Sequence, residues 1–121
     1  MKLREAKKLC NKWEYRLGLK WWDITFVFIT DKTEAYKTFG YDPDTIVMAR
    51  SYPDWRYGTC TIYFNFPAMK SKEKWEGEKI IIHELCHVLV NEMREGHIDH
   101  EERVVTTLTK AFLWTEADCL K

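Results

Sequence analysis

The sequence predicts an α+β domain, and three observations carry that reading. An apolar stripe at helical spacing opens the chain. Two runs rich in β-branched and aromatic residues fill its middle. A helix apolar on almost every side follows, and then a final amphipathic helix. The order helix, strands, helix, helix belongs to an α+β layer arrangement rather than to alternating βα units. At 121 residues the chain is the size of one domain with one modest core, so residues 1–121 read as a single unit.

Each element has its own warrant. Leu3, Ala6, Cys10, Trp13 and Leu17 recur three to four apart and form one helix face, with Gly18 as the stop. Residues 24–30, Ile-Thr-Phe-Val-Phe-Ile-Thr, have the composition of a buried strand. Residues 31–45 are polar and contain Gly40 and Pro43, so they read as loop, with at most a turn of helix around Ala35. A short strand is expected over residues 46–50, and Pro53, Asp54 and Gly58 mark a turn. Residues 59–66 form the next strand, ended by Pro67, and these last two strands suit a hairpin. The expected sheet therefore has about three strands. From about Lys72 to Arg94 the pattern is helical. Ile80, Ile81, Ile82, Leu85, Cys86, Val88, Leu89, Val90 and Met93 surround this helix, which makes it the central buried one. Gly96 ends it, and a last helix runs from about His100 to Trp114.

Composition excludes some functions. Nineteen basic and nineteen acidic residues give a net charge of +0. Nucleic acid and anionic membranes recruit excess Lys and Arg, so neither is expected as a partner. The charged start of the chain does not read as a secretory signal, and no apolar run approaches the roughly 20 residues of a membrane span. A cytoplasmic protein is expected. The four cysteines include no C-x-x-C pair and are read as reduced thiols.

The chemistry lies in His83-Glu84-Leu85-Cys86-His87, an H-E-x-x-H pattern inside the most apolar helix. Residues i and i+4 share a helix face, so both imidazoles reach one metal ion. Zinc accepts two neutral His nitrogens and lowers the pKa of a coordinated water to about 7. Glu84 follows the first His by one position and sits beside the metal, placed to take that water's proton. Buried His and Glu need partners, and a metal supplies them. Cys86, three residues from His83, reads as a small buried hydrophobe.

A catalytic zinc usually has three protein ligands. The downstream candidates are His97, Asp99, His100, Glu101 and Glu102. Val88, Leu89 and Val90 follow His87, which excludes the metzincin pattern. The motif and the order of elements around it resemble the gluzincins, meaning thermolysin-like and ImmA/IrrE-like zinc peptidases and their very small phage-borne versions. The resemblance implies a minimal zincin-like domain and one zinc ion per chain. It implies a third ligand from a Glu on the following helix, with small or apolar residues at +3 and +6 and a polar residue behind the site at +4. Counted from Glu102, these are Val105, Leu108 and Thr106; the Asp or Asn common at +4 is absent. Periodicity alone places Glu101 closer to the apolar stripe of Val105, Leu108 and Phe112. Glu102 is the expected ligand and Glu101 the alternative. A similarity to SprT-like proteins would instead make His97 or His100 the ligand, but the His-Gly pair of that group is absent, since Ile98 follows His97.

The resemblance also implies a peptide or protein substrate laid along an edge strand, which the sequence places at Thr59, Thr61 and Tyr63. Tyr36, Tyr41, Tyr52 and Tyr57 lie in loop-like segments, any one a possible hydroxyl donor to an oxyanion. The expected function is a zinc peptidase with Glu84 as general base. The competing reading is a non-catalytic or latent zinc-binding or peptide-binding module, its zinc closed by a fourth ligand such as His97 or His100.

Overall fold

In the computed structural model, which describes residues 1–119, the chain is an α+β fold with a three-stranded mixed sheet and six helices. Helix α1 spans Leu3–Arg16 and buries Ala6, Cys10 and Trp13 of the predicted stripe, together with Leu9, while Leu3 and Leu17 at its ends are partly buried. After Gly18, at φ 70°, the chain enters β1, Asp23–Ile29. Helix α2, Lys32–Phe39, occupies part of the stretch read as loop. Its signal is local: the Asp31 side chain accepts a hydrogen bond from the Glu34 backbone N–H at 3.0 Å, an N-cap that offsets the polar composition.

Strands β2, Ala49–Asp54, and β3, Thr59–Asn65, form the expected hairpin. β2 begins later than predicted and includes Pro53. The sheet order is β1-β3-β2, with β1 parallel and β2 antiparallel to β3. Pro53 is therefore on an edge strand, where a missing N–H costs little. β3 is the central strand, not an edge, because both neighbours pair with it. Cys60, Ile62 and Phe64 are buried on one of its faces, and the Phe64 ring stacks on Phe28 at 4.8 Å. Thr59, Thr61 and Tyr63 alternate onto the other face, where Tyr63 meets Tyr52 at 5.8 Å.

After the short helix α3, Phe66–Met69, the central helix α4 runs over Lys74–Leu89. It buries Ile81, Ile82, Leu85, Cys86 and Val88 against α1, β2 and the last helix, α6, Glu101–Cys119. Trp13 of α1 donates its indole N–H to the buried Glu78 carboxylate at 2.9 Å, which satisfies a polar pair at this seam. The expected unbroken helix to Arg94 is interrupted: α4 stops at Val90, and a short α5 follows over Asn91–Glu95. This break turns Arg94 back toward the sheet, where it meets the Ser51 carbonyl at 3.3 Å. Helix α6 extends past the predicted Trp114 to Cys119, and its Leu108, Phe112 and Leu113 pack against the core. Cys10, Cys60 and Cys86 are free and buried; the fourth cysteine's side chain lies outside the described residues. No helix among the described residues is long and apolar enough to cross a membrane.

Candidate metal centre

The last two turns of α4 and the first turn of α6 meet at the motif. One helical turn separates His83 from His87, and their ring centroids lie 5.0 Å apart. Ligand atoms of His83, Glu84 and His87 fall within 4.8 Å of one another, a group able to hold a metal ion. His87 and Glu84 are buried, whereas His83 is partly open to a cleft. The surrounding core explains this. Leu85, Cys86 and Val88 anchor the opposite side of α4 and leave the polar side facing the gap between β2 and α6.

The two glutamates of α6 divide between the two sides of the His87 ring. Glu102 places Oε1 2.8 Å from His87 Nε2 and Oε2 3.3 Å from His83 Nε2. Glu101 instead places Oε2 2.5 Å from His87 Nδ1. Neighbouring residues on a helix point about 100° apart, so one carboxylate enters the cleft while the other tucks beneath it. Exposure follows this division: the Glu102 side chain is 72% exposed and that of Glu101 16%.

Protonation states follow from the surroundings. Burial pushes the Glu84 carboxyl above its ordinary range, and the Glu102 charge adds to that; His87, Ser51 and Arg94 oppose it. The Ser51 Oγ is buried and meets no hydrogen-bond partner among the described residues. Burial also lowers the His83 pKa, against the pull of Glu102, and the nearby His87 and Lys79 lower it further. A neutral imidazole is the form that binds a metal. For Glu101, burial works upward, but hydrogen bonds from Arg94 and His87 outweigh it and hold the carboxyl low.

Not every predicted residue arrives at the site. His97 and His100 lie in the exposed loop between α5 and α6, both at positive φ, and neither meets the His83–His87 pair among the described residues. Thr106 is half-buried and makes no side-chain hydrogen bond among the described residues. The buried threonine of α6 is Thr109, bonded to the Val105 carbonyl at 2.7 Å and facing Cys86. Thr59, Thr61 and Tyr63 are displaced from the proposed substrate role, because central-strand backbone has no free edge and their face is turned from α4. The strand beside the motif is β2, whose Ser51 pairs with Ile62 on the inner face. Tyr36 and Tyr41 pack on each other at 5.0 Å, away from the motif, and Tyr57 sits in the β2–β3 turn.

Two recesses flank Glu84. One, of about 760 Å³, is walled by Met48, Ala49, Trp75 and Ile80 and reaches His83. The other, of about 240 Å³, is polar and bounded by Arg50, Ser51, His87, Arg94 and Glu102. Sequence reading missed Arg94 and Ser51, whose approach depends on the break at Val90 and on the late start of β2. No family model, curated protein or solved structure matches the chain.

Proposed function

We propose that this chain is a zinc-dependent hydrolase of the gluzincin type, built on a minimal zincin-like domain, and that it cleaves peptide bonds. The observation that carries the reading is the convergence of Glu102, from a separate helix, on the Nε2 atoms of both motif histidines. Two imidazoles and one carboxylate form a donor set suited to zinc. His83, His87 and Glu102 would hold the ion. Bound there, zinc supplies Lewis acidity and lowers the pKa of a coordinated water.

The remaining chemistry belongs to the chain. Glu84 is buried beside the histidines, and burial raises its pKa above the ordinary carboxylate range, which suits a group that takes a proton and returns it to a leaving amine. The β2 edge runs past Glu84, so an extended peptide adding to that strand would bring its carbonyl to the cleft. A structural zinc would need a fourth protein ligand. The exposed placement of His97 and His100 disfavours that reading and, equally, a third ligand of the SprT-like kind.

The test is cleavage of a mixed peptide library by zinc-loaded protein, read by mass spectrometry. Expected is cleavage that a chelator abolishes, added zinc restores and Glu84→Gln lacks. Equal cleavage by Glu84→Gln would sink the role given to that residue. Absence of any cleavage by zinc-loaded protein would favour the non-catalytic or latent alternative.

A further inference from the structure

The metal ligands of this site are oriented unequally. His83 has its carboxylate contact through Nε2, to Glu102, and no carboxylate meets its Nδ1 among the described residues. His87 is held on both sides, by Glu102 at Nε2 and by Glu101 at Nδ1. Glu101 is itself fixed. Arg94 Nη2 lies 3.0 Å from Glu101 Oε2, and Arg94 Nε lies 3.4 Å from Oε1. The remaining arm of the guanidinium donates from Nη1 to the Ser51 backbone carbonyl on β2 at 3.3 Å. One planar fork thus joins the carboxylate under the metal ligand to the strand that borders the cleft.

We propose that Glu101 is a positioning residue for His87, and that Arg94 clamps it to β2. This inference rests on the metal-site reading given above. A carboxylate at Nδ1 keeps the ring proton there and leaves the Nε2 lone pair free to bind the ion. Glu101 cannot bind that same ion, because the two ring nitrogens point apart. The position that the gluzincin resemblance assigns to this task, Thr106, makes no such contact. Glu101 performs it from the residue immediately before the ligand, so one turn of α6 supplies both the ligand and its orienting group. Because Arg94 ends on Ser51, the clamp also couples the place of His87 to the place of the substrate-bordering strand.

The experiment is zinc affinity by competition with a calibrated chelator, beside the visible spectrum of the cobalt-substituted protein. Wild type is compared with Glu101→Ala, Glu101→Gln, Arg94→Ala, the Glu101→Ala/Arg94→Ala pair and Glu102→Ala. Circular dichroism and melting of the metal-free proteins check that each variant folds. Glu101→Ala should bind zinc about 10–100-fold more weakly and shift the cobalt bands. Glu101→Gln, which keeps an acceptor for Nδ1–H, should recover most of the affinity. Arg94→Ala should lose less than Glu101→Ala, and the double variant should lose less than the two losses combined. Affinity of Glu101→Ala within threefold of wild type would overturn the proposal. So would complete loss of zinc in Glu101→Ala with retention in Glu102→Ala, which would make Glu101 the ligand. Failure of wild type to take up zinc would overturn the metal-site reading itself, and the inference with it, before any variant is compared.

Discussion

The Glu84→Gln substitution should stabilise the metal-free protein while destroying its proposed chemistry. Glu84 is 7% exposed, and burial together with the Glu102 charge raises its carboxyl pKa against the opposing pull of His87, Ser51 and Arg94. Leaving a buried polar group imperfectly paired costs about 1–3 kcal/mol. Gln keeps the shape and part of that cost but removes the charge, so the gain should be about 1 kcal/mol. A chain of 121 residues has an unfolding entropy of about 0.25 kcal/mol/K, which converts that gain to about 4 °C in Tm. The pH dependence has a defined sign. A carboxyl whose pKa is raised in the fold stabilises the fold while it is protonated, and that contribution is lost as pH rises from the ordinary carboxylate range through the raised value. Wild type and variant should therefore melt together in acid and separate as the pH rises above the ordinary carboxylate range. The assay is calorimetry on chelator-treated protein across that range. A variant that melts at or below the wild-type temperature at pH 8 would refute the reasoning.

Other perturbations read the frame around the site. Leu85→Ala removes a fully buried side chain from α4 and should cost about 2–5 kcal/mol in urea unfolding; a loss under 1 kcal/mol would mean that the core does not close as described. Gly58 turns the β2–β3 hairpin at φ 63° with room for a methyl group, so Gly58→Ala should cost about 1–2 kcal/mol through backbone strain alone, measured in the same way. Burial pushes the thiols of Cys60 and Cys86 up to about 11, and that of Cys10 higher still. None of the three should react with iodoacetamide at pH 8 until the protein unfolds, as peptide mapping would show; rapid labelling of the native protein would contradict their placement.

Much of the frame was legible because its signals are local. The stripe from Leu3 to Trp13, the β-branched run of β1, and the apolar motif helix each declare themselves within a few residues, although Leu89, counted among the buried residues of that helix, is exposed. The cap of α2 was equally local, in Asp31 and Glu34, but a polar stretch with Gly and Pro hid it. What escaped the sequence depends on partners far along the chain. Whether the strand at Thr59–Asn65 lies at an edge or in the centre is decided by β1 pairing with it in parallel, which composition does not encode. The choice between Glu101 and Glu102 depends on how α6 is rotated about its axis. Periodicity favoured Glu101 through its spacing from Val105, Leu108 and Phe112; Glu101 is indeed the more buried of the two, but as a contact beneath the ring rather than a place in the cleft. Arg94 carried no signal at all, since its approach to Glu101 and Ser51 requires α4 to break at Val90, inside a run that reads as continuous helix.

The most direct test of the central claim is metal content. Protein purified without chelators, then exposed to zinc and desalted, is measured by elemental analysis for wild type, His83→Ala and Glu102→Ala. About one zinc per chain in wild type, with loss or clear weakening in both variants, is the expected result. No zinc in wild type after exposure, or equal zinc in all three proteins, would contradict the account.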